Sequence, residues 1–222
     1  MRNSDYDQVI RRLLAQGNDK GKKRATVRMC VNVNRLNVMG EGCLRQAVTA
    51  QDVERAKKWA EASALNKDNN EDELDQTNRD VRDWHGQLGH VALDRFLSID
   101  TVDWTIGDTR RYDFADLIKV ANCGVKTATM DFLPLIGPKV LERKEPQIMA
   151  LLNDEENMVY FLGVFSTQDI LEHSSSEMFV EKKWNSMNKI GFWGYDVGLP
   201  MPRDVGELIK SLEALDAKDI LA

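Results

Sequence analysis

Apolar positions recur along this chain with two periods, and the switch between them marks the elements. Val9, Ile10, Leu13 and Leu14 follow Ser4 at helical spacing, with Gly17-Asn18 as the stop, which predicts a first helix from about Asp5 to Leu14. Ala25 to Asn34 alternates polar and apolar residues, the pattern of a half-buried strand. Thr49 with Asp52 three residues on forms a capping box and opens a second helix through Val53–Ala60, with Leu65 as its last buried residue. The stretch 66–77 is polar and acidic; it reads as a surface connection or as the polar start of the next helix. From Asp83 to Leu97 the helical period is strong, with Trp84, Leu88, Val91, Ala92 and Phe96 on one side and Gly86 and Gly89 allowing close packing.

After a variable stretch, 98–110, the runs become short. Tyr112-Asp113-Phe114, Leu117–Val120 and Gly124–Met130 have strand length, and so do Gln147–Leu152 and Met158–Phe165, joined by the acidic segment Asn153–Asn157. Runs as apolar as the last two are expected where both faces of a strand are covered. Thr167 caps a following helix through Leu171. The aromatic, glycine-rich stretch 188–196 suits cover for a sheet edge, with base stacking as the alternative. Val205, Leu208, Ile209, Leu212 and Leu215 form the apolar face of a closing helix over Arg203–Leu215. Helix, several strands, helix is the order of an α/β core. The expected organisation is a mainly helical N-terminal region, 1–77, carrying a basic stretch, followed by an α/β domain, 78–222, with a C-terminal helix.

The 222 residues carry a net charge of −6 and a sequence pI near 5.2, a balance that counts against a constitutive basic nucleic-acid binder. A local exception is the run Lys20, Lys22, Lys23, Arg24, Arg28 and Arg35, which reads either as a solvated loop or as a surface that follows phosphates. No apolar run approaches the roughly 20 residues of a membrane helix, and the first residues lack a signal peptide's apolar stretch, so a cytoplasmic location without a membrane partner is expected. Cys30, Cys43 and Cys123 are too few and too far apart for a disulfide framework or a zinc knuckle. Cys123 has no evident base partner for nucleophilic chemistry. Three histidines, His85, His90 and His173, leave little for a His-built metal site.

Three residues stand out as chemistry. Lys126 sits in an apolar strand, where a buried charge is costly; it belongs either to an edge strand with its amine in solvent or to a site. Asp113, flanked by aromatics, is a turn or cap residue or a metal ligand. His90, on the helix 83–97, is a packed or capping histidine or a ligand.

Their order resembles the PD-(D/E)XK nuclease superfamily. Gly86-Gln87-Leu88-Gly89-His90-Val91-Ala92 looks like that family's first core helix, which often reads Gly-x-x-Gly-Glu; Tyr112-Asp113-Phe114 looks like its Pro-Asp strand start; Val125-Lys126-Thr127 looks like the end of its acid-x-Lys strand. The similarity spans Trp84 to Phe179, under half of the chain. It implies a restriction-endonuclease-like core, a mixed central sheet flanked by helices, and a metal-dependent deoxyribonuclease. Phosphodiester hydrolysis needs an activated water and charge neutralisation, which one or two Mg²⁺ ions, or Mn²⁺, supply from carboxylate ligands. By match, Asp113 binds the metal, Lys126 steadies the attacking water or the phosphate, and His90 lies nearby to ligate or orient water. Lys20, Lys22, Lys23 and Arg24 would then contact DNA.

The chain departs from the pattern twice: Gly124 stands where the second acid belongs, and His90 where the helix often carries Glu. Asp94, Asp116 and Glu177 are the candidates for a relocated acid. The other reading is a catalytically degenerate nuclease fold that binds DNA or a host protein, as in an anti-defence role. The small size and unusual N-terminal module fit a phage or mobile-element protein, which would work in the host cytoplasm. A homodimer is compatible with double-strand cutting.

Overall fold

A computed structural model of the chain describes residues 32, 33, 35–37, 39–66, 76–105, 117, 122–130, 132–175 and 189–221. Its centre is a four-stranded mixed sheet in the order β1-β5-β4-β2, built from β1 (Arg45–Ala47), β2 (Gly124–Thr129), β4 (Gln147–Asn153) and β5 (Met158–Phe165). β2 runs parallel to β4 and pairs Gly124 with Gln147 and Lys126 with Met149. β4 and β5 form an antiparallel hairpin, and β1 adds to β5 with Arg45 opposite Tyr160. β4 is buried along nearly its whole length, as its unbroken apolar run predicts. A second, three-stranded sheet orders β3 (Leu135–Ile136), β7 (Ile190–Phe192) and β6 (Ser174–Ser175).

Side-chain alternation divides the central sheet into two faces. On the first face Val125, Ile148, Ala150, Val159 and Phe161 pack under three helices. These are α1 (Ala50–Asn66), α2 (Gln76–Leu97) and, beyond two short helices, α5 (Val205–Leu221). Ala56, Leu88, Ala92, Leu93, Leu97, Leu208, Leu212 and Leu215 are their contributions to this core. Each fully buried leucine of this kind contributes about 1.5–3 kcal/mol. On the second face Ala128, Met149, Leu151, Leu162 and Phe165 pack against Ile136 and Phe192 of the small sheet. Val140 of α3 (Pro138–Glu142) and Ile170 of α4 (Thr167–Glu172) complete that core. Gly89 lets α2 approach β2: a Cβ there would lie 1.8 Å from Thr127 Oγ1.

Most described elements follow the pattern of the sequence. The Thr49–Asp52 capping box is present, with the Thr49 N–H donating to Asp52 Oδ2 at 2.7 Å and the Asp52 N–H to Thr49 Oγ1 at 3.2 Å. Other details differ. Asn32 and Val33, expected in a strand, are helical. Asn32 is fully buried and Val33 is exposed, and the rest of the expected strand, 25–31 and Asn34, lies outside the described residues. The cap of α4 is Ser166 rather than Thr167, in a reciprocal capping box with Asp169. The described part of the aromatic stretch, 189–196, does not lie over a sheet edge: among the described residues β7 is the middle strand of the small sheet, and Phe192 and Tyr195 are buried in the second core. β1, at only three residues, is too short to show a period. Because β1 joins the central sheet and α1 packs on α2, residues before 77 share the core with those after it. The expected first helix and the strands at 112–114 and 118–120 lie outside the described residues.

Candidate functional site

Lys126 lies near the middle of β2, an edge of the central sheet among the described strands. Val125 belongs to the α2-covered core and Thr127 abuts Gly89 of α2, so Lys126, between them, points to the opposite face beside Met149. The side chain is half-buried and has no hydrogen-bond or ion-pair partner among the described residues. His90 is on α2, on the first face, and half-buried. The sheet therefore separates these two residues.

Gly124, at the position of the expected second acid, shares the second face with Lys126. A Cβ built there would meet Gln147 Oε1 at 2.4 Å and Nε2 at 2.5 Å. Gln147 is fully buried; its Nε2 donates to the Glu145 carbonyl at 3.1 Å, and its Oε1 has no partner. The glutamine thus fills the volume an acid at 124 would need. Of the relocated acids considered, Asp94 is spent on structure: its carboxylate accepts from the Thr101 N–H at 2.7 Å, the Thr101 hydroxyl at 2.6 Å and the Val102 N–H at 2.9 Å. Asp113, Asp116 and Glu177 lie outside the described residues, as do Lys20, Lys22, Lys23 and Arg24. Among the described residues no three His, Cys, Asp or Glu side chains group to hold a metal ion.

A second polar region lies on the same face at the other end of the sheet. Met130 follows the carboxyl end of β2, Asn153 ends β4, and Arg45 and Tyr160 are cross-strand neighbours. With Glu156, Cys43, Val33, Leu36, Asn37 and Gly40 they enclose an open cleft of about 750 Å³. The Tyr160 hydroxyl donates to Glu156 Oε2 at 2.9 Å. Burial and the neighbouring Glu156 carboxylate raise the phenol above its ordinary range, against the opposing pull of Arg45. Burial also raises the Cys43 thiol, with Arg35 and Arg45 opposing, so Cys43 is a poor nucleophile at neutral pH. One wall of the cleft is formed by Val33, Leu36, Asn37 and Gly40, beside the helical residue Asn32, which is pinned from across the chain. The Asn32 carboxamide donates to the carbonyls of Met130 and Phe132, both at 2.9 Å, and accepts from the Tyr195 hydroxyl at 2.8 Å. Arg35 of the same segment pairs with Asp196.

Sequence reading did not find this cleft. Its lining comes from three stretches, between Val33 and Arg45, at Met130 and between Asn153 and Tyr160, and only the pairing of β1 with β5 sets Arg45 beside Tyr160. The available signal was Arg45, a charged residue within a short run, which is weak.

Comparison with family models, curated proteins and solved structures finds no match. What the described residues establish is a mixed α/β architecture with a mixed sheet between helices. Among them no helix is long and apolar enough to cross a membrane.

Proposed function

We propose that this protein binds DNA on a nuclease-like α/β core without hydrolysing it at β2. The observation that carries the non-hydrolytic part is the Gln147 side chain filling the space beside Gly124. Hard cations need oxygen ligands, and a strand that offers glycine at 124, beside a carboxamide anchored to Glu145, has given up the position the resemblance assigns to an acid. Support for DNA as the partner comes from the order of the α2, Asp113 and Lys126 landmarks and from the basic run at 20–24.

The second reading, a metal-dependent deoxyribonuclease, is favoured by one observation: Lys126 is half-buried on an edge strand with no described partner, a position that otherwise has only a cost. In that reading Asp113 is the metal ligand, and the remaining donors come from outside the described residues.

One experiment decides between them. Supercoiled, linear and single-stranded DNA are incubated with the purified protein in Mg²⁺, Mn²⁺ or EDTA, and both mobility shift and cleavage are scored. The expected result is a salt-sensitive shift with intact DNA. Metal-dependent cutting that disappears in Lys126→Ala would overturn the proposal and establish the nuclease. Neither shift nor cutting would remove DNA as the partner and leave the host-protein form of the binding reading.

A further inference from the structure

The cleft beside Tyr160 plays no part in the β2 chemistry, and three features make it a site. The first is position. It opens where the parallel strands β2 and β4 end, at Met130 and Asn153, and open α/β sheets characteristically bind ligands outside the carboxyl ends of their parallel strands. The second is preformation. Asn32 spends its carboxamide on Met130, Phe132 and Tyr195, so the wall formed by Val33, Leu36 and Asn37 is held in place without a ligand.

The third feature is the arrangement of polar groups. Arg45 and Glu156 each interact with the Tyr160 hydroxyl, so a forked cationic donor and a carboxylate whose Oε2 already accepts from Tyr160 both line the cleft. Asn153 Oδ1 is occupied by the backbone N–H of Glu155, which leaves its amide nitrogen as a further donor. Val33, Leu36 and Met130 supply the apolar wall.

A ligand that satisfies this set presents paired acceptors to Arg45 and paired donors to Glu156. Among the DNA bases this is guanine. Its O6 and N7 are the acceptors that arginine binds in a fork, and its N1–H and N2 amino group offer two donors to a carboxylate. Adenine, cytosine and thymine lack one pair or the other. These edges are fully available only on an unpaired base, which proteins read by hydrogen bonds and by contact with the base's flat face.

We propose that the cleft binds an unpaired guanine, either as a free nucleotide or within a single strand. The in-strand form rests on the DNA-binding reading; the free-nucleotide form does not.

The test uses the full chain in two arms. In the first, dGMP, dAMP, dCMP, dTMP and dIMP are titrated by calorimetry. In the second, binding of an oligothymidine with one central guanine is compared with that of the same strand carrying adenine. The expected result is a preference for guanine of about tenfold in at least one arm, reduced for dIMP, which lacks the 2-amino group. That preference should disappear in Glu156→Gln and in Arg45→Ala. Both residues are exposed, and unchanged melting of the variants shows that the fold is intact. Selective binding of dGMP with no binding of either strand supports the guanine site and counts against the DNA-binding reading. Equal binding of the two strands without any selectivity for dGMP overturns the guanine site and leaves DNA binding in place. No binding in either arm overturns both readings, and a preference for another base overturns the guanine site alone.

Discussion

Restoring the acid that β2 lacks tests whether glycine at 124 is required by its surroundings. In Gly124→Asp the new Cβ would sit 2.4 Å from Gln147 Oε1, 2.5 Å from Nε2 and 2.8 Å from Cδ. Those atoms end a flexible side chain, yet Gln147 is fully buried and tied to the Glu145 carbonyl, so it has little room to retreat. Displacing it loses a hydrogen bond of about 1 kcal/mol and overpacks the site by about 1–3 kcal/mol. The expected loss is therefore about 2–4 kcal/mol, which for a chain of this length lowers the melting temperature by about 4–16 °C. Adding Gln147→Ala removes the colliding atoms and an Oε1 that already lacks a partner. The double variant should recover at least half of the lost stability, a coupling readable from a double-mutant cycle in urea. If Gly124→Asp melts with the parent, or if Gln147→Ala brings no recovery, then Gln147 is not what excludes the acid, and the argument for a non-hydrolytic β2 loses its basis.

Two further outcomes follow from contacts that hold the core. Gly89→Ala should cost up to about 2 kcal/mol in urea unfolding, because a Cβ 1.8 Å from Thr127 Oγ1 sets a clash of about 1–3 kcal/mol against a helix-propensity gain of about 1 kcal/mol. Thr127→Ala should restore most of it, and a Gly89→Ala variant more stable than the parent would refute the close approach of α2 to β2. At the start of α1, burial acts to raise the Asp52 carboxyl, but the Thr49 hydroxyl and N–H and the Arg95 guanidinium outweigh it and hold the group below the usual range. A lowered folded value means that this contribution is complete above the unfolded carboxylate value of about 3.9 and fades as pH falls through the folded one. Asp52→Asn should therefore cost about 1 kcal/mol at neutral pH, with a difference that closes in the acid range; a difference that persists there would sink the assignment.

The parts of this fold that were legible from sequence are those in which one local rule dominates. The capping box at Thr49, the doubly covered runs of β4 and β5, and the apolar stripe of α2 each depend on neighbours within a few residues. What was not legible depends on partners far away in the chain. β1 is a strand only because β5 offers it an edge. Asn32 is helical and buried because Met130, Phe132 and Tyr195 satisfy its carboxamide from across the chain, at separations near 100 and above. Without those partners, burying that side chain would be unfavourable. The cap of α4 was misplaced by a single residue because Ser166 and Thr167 are adjacent and both carry hydroxyls; only Asp169, three positions after Ser166, distinguishes them.

The candidate site at β2 was legible only as letters, and letters do not carry facing. Gly124 and Lys126 lie two apart and share a face, whereas Thr127, one residue on, turns to Gly89 on the other. His90 follows Gly89 on the helix that covers that other face, so a resemblance that gathers His90 and Lys126 into one site brings together residues the sheet separates. Alternation also gives the positive result: Lys126, Met149, Asn153 and Tyr160 all belong to the face away from α2. Lys126 and the Tyr160 cleft therefore lie on one side of the central sheet, the side that also carries the core built with Ile136 and Phe192.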